Sequence, residues 1–398
     1  MSFDNLQYVL WLPSWYPNKL APYDGDFIQR HAQAASAFVP IHVLYIVKDK
    51  QKQITSSVLV DQQRTGNLLE TIIYYSNPRF LFGITDKLFS LWNYKRLYRR
   101  FINELLLTRG LPWLVHVHIA FKAGIIANWI KKRYAIPFLL SEHWTIYLDE
   151  ARPDLNELGF LKRRFISKTI ANASKIISVS DYLGRSIKGK WPFVNYKVIP
   201  NVVNTNIFYP SDKKVHPVPR LLHISNLSYQ KDPEQLFRAL KLVKDKGIKF
   251  TLEVFGASRQ LLNSLANDKQ LGDMVILHEE VPQAVLAQHL RNADVLILYS
   301  RYETFGCVII EANACGVPVI VADIPVMREL VNQDQNGVLV KPESAEALAE
   351  AVINVLQNKN QFNTQSIAET VIKYSYSTVG KMFLDEYLAL LAPGSAAR

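Results

Sequence analysis

Two carboxylates, Glu303 and Glu311, stand with seven residues between them in a run that starts Tyr299-Ser300-Arg301-Tyr302-Glu303-Thr304-Phe305-Gly306. The first follows an apolar run. The second lies near the start of a short helical stretch, Val308–Ala314, that Gly316 and Pro318 bring to an end. This spacing can set one acid at each end of an extended, polyhydroxylated ligand, because carboxylates accept hydrogen bonds from hydroxyls. Between the acids, Thr304, Phe305 and Gly306 offer backbone N–H groups, and Gly306 permits close approach. Either acid alone would read as a helix cap; the pair argues for a ligand. A cation stands in a separate loop, Ser225-Asn226-Leu227-Ser228-Tyr229-Gln230-Lys231. Asp232 is a good N-cap and Pro233 a good first helical residue, so Lys231 sits just ahead of a helix N-terminus, a setting that suits a diphosphate. Alone, it would be an ordinary solvated lysine.

The elements that must hold these groups alternate along the chain. Short apolar runs predict strands at Tyr8–Leu12, Ile41–Val47, Leu114–His118, Pro137–Ser141, Lys175–Val179 and Lys197–Ile199 in the first half. In the second half they fall at Arg220–Ile224, Thr251–Phe255, Val275–Leu277, Val295–Tyr299, Pro318–Val321 and Val338–Val340. Strands that are apolar along their whole length suit parallel sheets covered on both faces, with crossover helices between. At 398 residues, two domains are expected. The proline-rich stretch Asn201–Pro219 is the natural linker. Thr378–Leu391 reads as an amphipathic helix, and residues 392–398 as a frayed tail.

Composition narrows the class. With 49% hydrophobic and 20% charged residues the chain is globular. The two cysteines, Cys307 and Cys315, form neither a disulfide framework nor a zinc pattern, and read as buried thiols. No run approaches the roughly 20 apolar residues that span a bilayer. Asp4 stands where an export signal would be positive, so a cytoplasmic protein is expected. There is no G-x-G-x-x-G fingerprint and no G-x-x-x-x-G-K-[ST] loop, which weakens nicotinamide-cofactor and P-loop readings. The histidines His116 and His118 are taken to point to opposite faces of their strand, so only one can reach a cleft; His118, at the strand's end, is the choice. His143 closes the next strand. The formal charge of +11 could serve nucleic acid, anionic lipid or an anionic substrate. Nucleic acid is disfavoured, because Glu303 and Glu311 would lie badly beside phosphates. Residues 87–101 and 160–165 mix cations with aromatics. They suit either an anionic membrane surface or helices with one face in a core and one in water.

The runs Glu-Thr-Phe-Gly and Glu-Ala-Asn-Ala-Cys-Gly-Val-Pro-Val around Glu303 and Glu311 resemble the retaining nucleotide-sugar glycosyltransferases of family 4. Further similarities lie in Val198–Asn204 with Phe208, in Ile224–Lys231, in Val331–Pro342, in Val115–His118, in Ser141-Glu142-His143 and in Gly25-Asp26-Phe27. The resemblance implies an α/β fold of two Rossmann-like domains facing across a cleft (GT-B). Residues 1–205 would be acceptor-binding and 206–371 donor-binding, with a last helix, 372–391, packing back on the first domain. It also implies that Glu303 holds hydroxyls of the donor sugar and Glu311 those of the ribose. Lys231, with backbone N–H groups from Thr304 through Phe305, Gly306 and Cys307 to Val308, would neutralise the diphosphate. His143 and His118 would line the sugar side, and Gly25 would let its loop approach the phosphates. Where the family places an arginine beside the phosphate this chain has Asn226, so one positive charge is missing. No metal or other cofactor is implied. The expected substrates are a nucleoside diphosphate sugar carrying a hexose and a glycan or lipid-linked acceptor, in surface polysaccharide assembly. A glycan phosphorylase or sugar-nucleotide epimerase on the same fold is the nearest alternative, and a basic nucleic-acid-binding module a distant one.

Overall fold

The computed structural model describes residues 8–78, 83–211 and 216–391; the expected tail 392–398 and part of the expected linker lie outside them. The first half runs β1 (Val9–Pro13), α1 (Asp26–Ser36), β2 (Ile41–Lys48), β3 (Val58–Thr65), β4 (Leu68–Tyr75), α2 (Gly83–Arg109), β5 (Leu114–His118), α3 (Ala123–Tyr134), β6 (Phe138–Glu142), α4 (Phe160–Asn172), β7 (Lys175–Ser178), α5 (Asp181–Lys190) and β8 (Tyr196–Val198). The second runs β9 (Arg220–Ile224), α6 (Pro233–Asp245), β10 (Thr251–Phe255), α7 (Arg259–Asp268), β11 (Val275–His278), α8 (Gln283–Arg291), β12 (Val295–Leu298), α9 (Cys307–Ala314), β13 (Val319–Ala322), α10 (Met327–Leu330), β14 (Gly337–Val340), α11 (Ala345–Gln357), α12 (Thr364–Glu369) and α13 (Tyr376–Leu391).

Two sheets result, ordered β3-β4-β2-β1-β5-β6-β7-β8 and β11-β10-β9-β12-β13-β14. All pairings are parallel except β3 with β4. The twelve predicted strands are present within a residue or so of their expected ends. Most form because largely apolar, β-branched runs are stable only between two covering layers. The expectation missed β3 and β4, a hairpin turned by Gly66-Asn67, with β3 exposed along nearly its whole length at the sheet edge.

The last helix packs on the first sheet's domain. Val379, Phe383 and Tyr387 join a core with Trp11, Ile28 and Leu139, and Gly380 lies against the backbone of Ala34, leaving no room for a Cβ. The Tyr387 hydroxyl is 2.7 Å from His116 Nδ1, and Lys175 pairs with Glu386.

Candidate active site

Loops at the carboxyl ends of β1, β6, β9, β10 and β12 meet across a cavity of about 810 Å³, the place where open parallel sheets bind ligands. Glu303, Glu311, Lys231, His143, Asn226 and the loop from Thr304 to Val308 all line it. Each is positioned by an identifiable device. Glu303 leaves the end of β12 as a buried carboxylate. It accepts from Ser300 Oγ at 2.9 Å and from Gln230 Nε2 at 3.0 Å, and it pairs with Lys231. Gly306 adopts φ 108°, a region closed to ordinary residues, and so turns the chain into α9. Cys307 and Val308, whose N–H groups precede the helix's first internal bonds, line the cavity. The loop is fixed from the opposite domain by Ser180 Oγ, which donates to the Thr304 carbonyl at 2.7 Å.

Glu311 lies one turn into α9, further along than expected, and is buried. It meets Arg30 of α1, whose Nη1 is 2.6 Å away, while Arg30 Nη2 reaches Asp26 at 3.0 Å. Burial pushes the Glu311 carboxyl up, and Arg30 pulls against it. For Arg30, burial works against the charge, but Glu311 and Asp26 outweigh it and hold the guanidinium protonated. Arg30 Nε is buried without a partner. Arg30 was not anticipated from sequence. Its one signal was an arginine on the buried face of an amphipathic helix. A second interdomain clasp joins Glu329 to the backbone N–H groups of Asp181 and Tyr182, at 2.9 and 2.7 Å.

Three expectations need correction. His116 and His118 share one face of β5, as residues two apart on a strand must; their ring centroids are 4.3 Å apart. His118 does not line the cavity. It is fully buried, with Nδ1 3.5 Å from His143 Nε2. Gly25 does not line it either. With φ 69°, its Cβ position would fall 2.6 Å from the Trp15 carbonyl carbon, so glycine is needed there to start α1. Asp232 is the N-cap residue of α6 as expected, but with φ 44° its carboxylate turns mainly to Arg301, whose Nη2 is 2.6 Å away.

Behind His143 the rings of His31 and His118 complete a buried imidazole cluster. Burial lowers His31 to about 4 and holds His118 and His143 well below the usual histidine range, so all are neutral. His143 therefore meets the cavity as a hydrogen-bonding group, not a cation. Cys307 is pushed up to about 12 by burial and is no nucleophile. Asn226 turns its Oδ1 to the Ser228 N–H at 3.1 Å. Among the described residues lining the cavity, Lys231 and Arg30 are the lysine and the arginine.

The comparisons with known proteins give the class of this two-domain α/β chain. Residues 209–375 match the family described as "Glycosyl transferases group 1" and residues 39–207 match "Glycosyltransferase Family 4". The chain belongs to the group 1, family 4 glycosyltransferases and has the GT-B fold. The putative teichuronic acid biosynthesis glycosyltransferase TuaC of Bacillus subtilis is 24% identical, with 86% of this chain and 88% of that one covered. The sucrose-phosphate synthase structure from Thermosynechococcus elongatus superposes with a TM-score of 0.79 at 19% identity, covering 96% of this chain and 99% of that one. Anabaena HepE, in complex with UDP and glucose, gives 0.71 at 17% identity, with 96% and 100% covered.

Proposed function

We propose that this glycosyltransferase moves a hexose from a nucleoside diphosphate sugar to a hydroxyl of a glycan or lipid-linked acceptor, with retention at the anomeric carbon. The observation that carries the reading is the convergence of Glu303, Lys231, Glu311 and the start of α9 on one cleft. Glu311 takes the ribose hydroxyls and Glu303 those of the sugar. Lys231 and the first N–H groups of α9 face the diphosphate, where negative charge grows as the bond from the anomeric carbon to the phosphate oxygen breaks. The bond's electron pair leaves with the phosphate. The acceptor oxygen attacks from the same face and passes its proton to that phosphate oxygen. Carboxylates that fix the sugar make this geometry reproducible. No divalent ion is needed at the diphosphate. Arg30, released from Glu311 when ribose binds, replaces the cation that Asn226 does not supply.

A surface-polysaccharide acceptor is supported by the name of TuaC and by the outward face of the first domain. There α2 and α4 flank α3. The aromatic–basic stretch 87–101 divides: Tyr94, Leu97 and Tyr98 pack inward, while Leu88 and Trp92 are more than half exposed. Phe160 and Leu161 at the start of α4 are each 68% exposed beside Lys162 and Arg163. This face would rest on the anionic inner surface of the cytoplasmic membrane. No helix among the described residues is long and apolar enough to cross it.

A thermal-shift panel of UDP-, GDP- and ADP-sugars followed by nucleotide-release assays tests the reading, since binding raises the melting temperature by mass action. UDP-glucose is the first candidate, because HepE was solved with it. No shift with any nucleoside diphosphate sugar sinks the proposal.

A further inference from the structure

A second cluster of ligand-type side chains lies in the donor domain, away from the transferred sugar. Glu253 from the middle of β10, His278 from the end of β11 and His289 from α8 turn one oxygen and two nitrogens to a common point. His289 Nδ1 is 2.6 Å from Glu253 Oε2. His278 Nε2 is 2.9 Å from the same oxygen, yet lies off the axis a hydrogen bond requires and has no hydrogen-bond partner. Glu253 is 1% exposed, whereas the two imidazoles are each 26% exposed. Arg220 holds the other carboxylate oxygen, with Nε at 3.0 Å and a second contact from Nη2, which fixes the orientation of Oε2.

We infer that Glu253, His278 and His289 form a binding site for a divalent transition-metal ion of the zinc, cobalt or nickel type. Two imidazoles and one carboxylate are borderline donors, suited to these ions and not to Mg²⁺ or Ca²⁺, which prefer all-oxygen shells. Three protein ligands leave a fourth position for water. Ligands at about 2.0–2.1 Å from Zn²⁺ are roughly 3.3 Å apart in a tetrahedron, so the contacts now at 2.6 and 2.9 Å must open by about 0.7 and 0.4 Å. Rotation of the two half-open rings supplies this. Arg220 on the far oxygen is the kind of outer partner that orients a ligating carboxylate. No metal was expected anywhere in the chain from its sequence; these three ligands come together only in the fold, behind the cleft wall. His278 stacks on Phe255 at 4.4 Å and 9°, and Phe255 lines the cleft beside Gly256, Glu280 and Val281. The ion joins three elements behind that wall and stiffens it.

The test is titration of the metal-free full chain with Co²⁺, read by its visible absorption, and with Zn²⁺ by calorimetry. The expected result is one equivalent bound with tetrahedral-type bands, weakened at least about 100-fold in the double variant H278Q/H289Q and about 10-fold in R220Q. H118N, which alters the other imidazole cluster, should leave the equivalent intact. Circular dichroism in chelator checks that each variant is folded; should the double variant unfold, H289Q alone carries the test. Absence of a bound equivalent, retention by the histidine variants, or loss with H118N overturns the assignment. None of these readouts depends on a sugar donor.

Discussion

Arg30→Gln separates two roles for the guanidinium that crosses the cleft. Arg30 and Glu311 are each almost fully buried, at 7% and 5% side-chain exposure, and 2.6 Å apart. Removing one partner of a buried pair costs about 3–5 kcal/mol, because the other charge is stranded. The Glu311 side chain borders a cavity that water can enter, so R30Q should fall at the low end, about 3 kcal/mol. Glu311→Gln strands less, since Arg30 keeps Asp26 at 3.0 Å; about 1–2 kcal/mol is expected. Urea unfolding should therefore rank R30Q below E311Q. Calorimetry with UDP, or with whichever diphosphate the thermal screen selects, decides the functional role. If Arg30 turns to the diphosphate, R30Q loses a charged hydrogen bond of about 1.5–3 kcal/mol, or roughly 10- to 100-fold in affinity. Tighter binding by R30Q would refute the reasoning: Arg30 would then only compete with ribose for Glu311. Unchanged affinity would refute it equally.

E303Q should lower turnover by about 100- to 1,000-fold yet leave a measurable remnant, because Glu303 positions the sugar and is no nucleophile; complete loss in the variant, together with a glycosyl group trapped on Glu303 of the unaltered enzyme in mass spectrometry, contradicts this. Acid should destabilise the fold. Burial lowers His31 and His223 to about 4 and His42 to about 3, below the unfolded value of about 6.5. Their contribution is fully present above pH 6.5 and is lost as pH falls through the folded values, about 2 kcal/mol for each at pH 5. Burial raises the Glu142 carboxyl to about 7, which offsets part of this loss as pH falls; urea midpoints at pH 7.5 and 5 should still differ, and H42N should shrink the difference, so an unchanged difference in H42N rejects the assignment. Co-sedimentation with anionic vesicles should exceed that with neutral ones, and a W92S/F160S variant should lose the excess. Equal sedimentation with both vesicle types removes the membrane surface from the reading.

Most strands were legible because they are apolar along nearly their whole length, as burial on both faces demands. The β3–β4 hairpin was not, since β3 reads Val-Leu-Val-Asp-Gln-Gln-Arg-Thr and shows no buried face. The dipeptide Gly66-Asn67 between two β-rich runs was the signal that could have found it. Glu303, Lys231 and the turn at Gly306 were legible because they sit within short runs at strand ends. Arg30 was not, because its partner Glu311 lies 281 residues away and no local pattern encodes a contact across a cleft. The same holds for Glu253, His278 and His289, which a sheet register and a crossover helix bring together. His118 was misplaced by an error of parity along a strand. Gly25 was misread in kind: the glycine makes room for Trp15, which is a packing demand and not a ligand's.

The return of α13 makes the first domain discontinuous in the chain. Phe383 and Tyr387, both fully buried, complete the layer that covers Trp11 and His116. Burial of each is worth about 1.5–3 kcal/mol, a large share of what a single domain has to spare. During synthesis the first domain must therefore wait for the ribosome to finish the second before its own interior is closed. A nascent chain halted near residue 205 would carry an open apolar seam, so the order of translation and the order of folding are different for this protein.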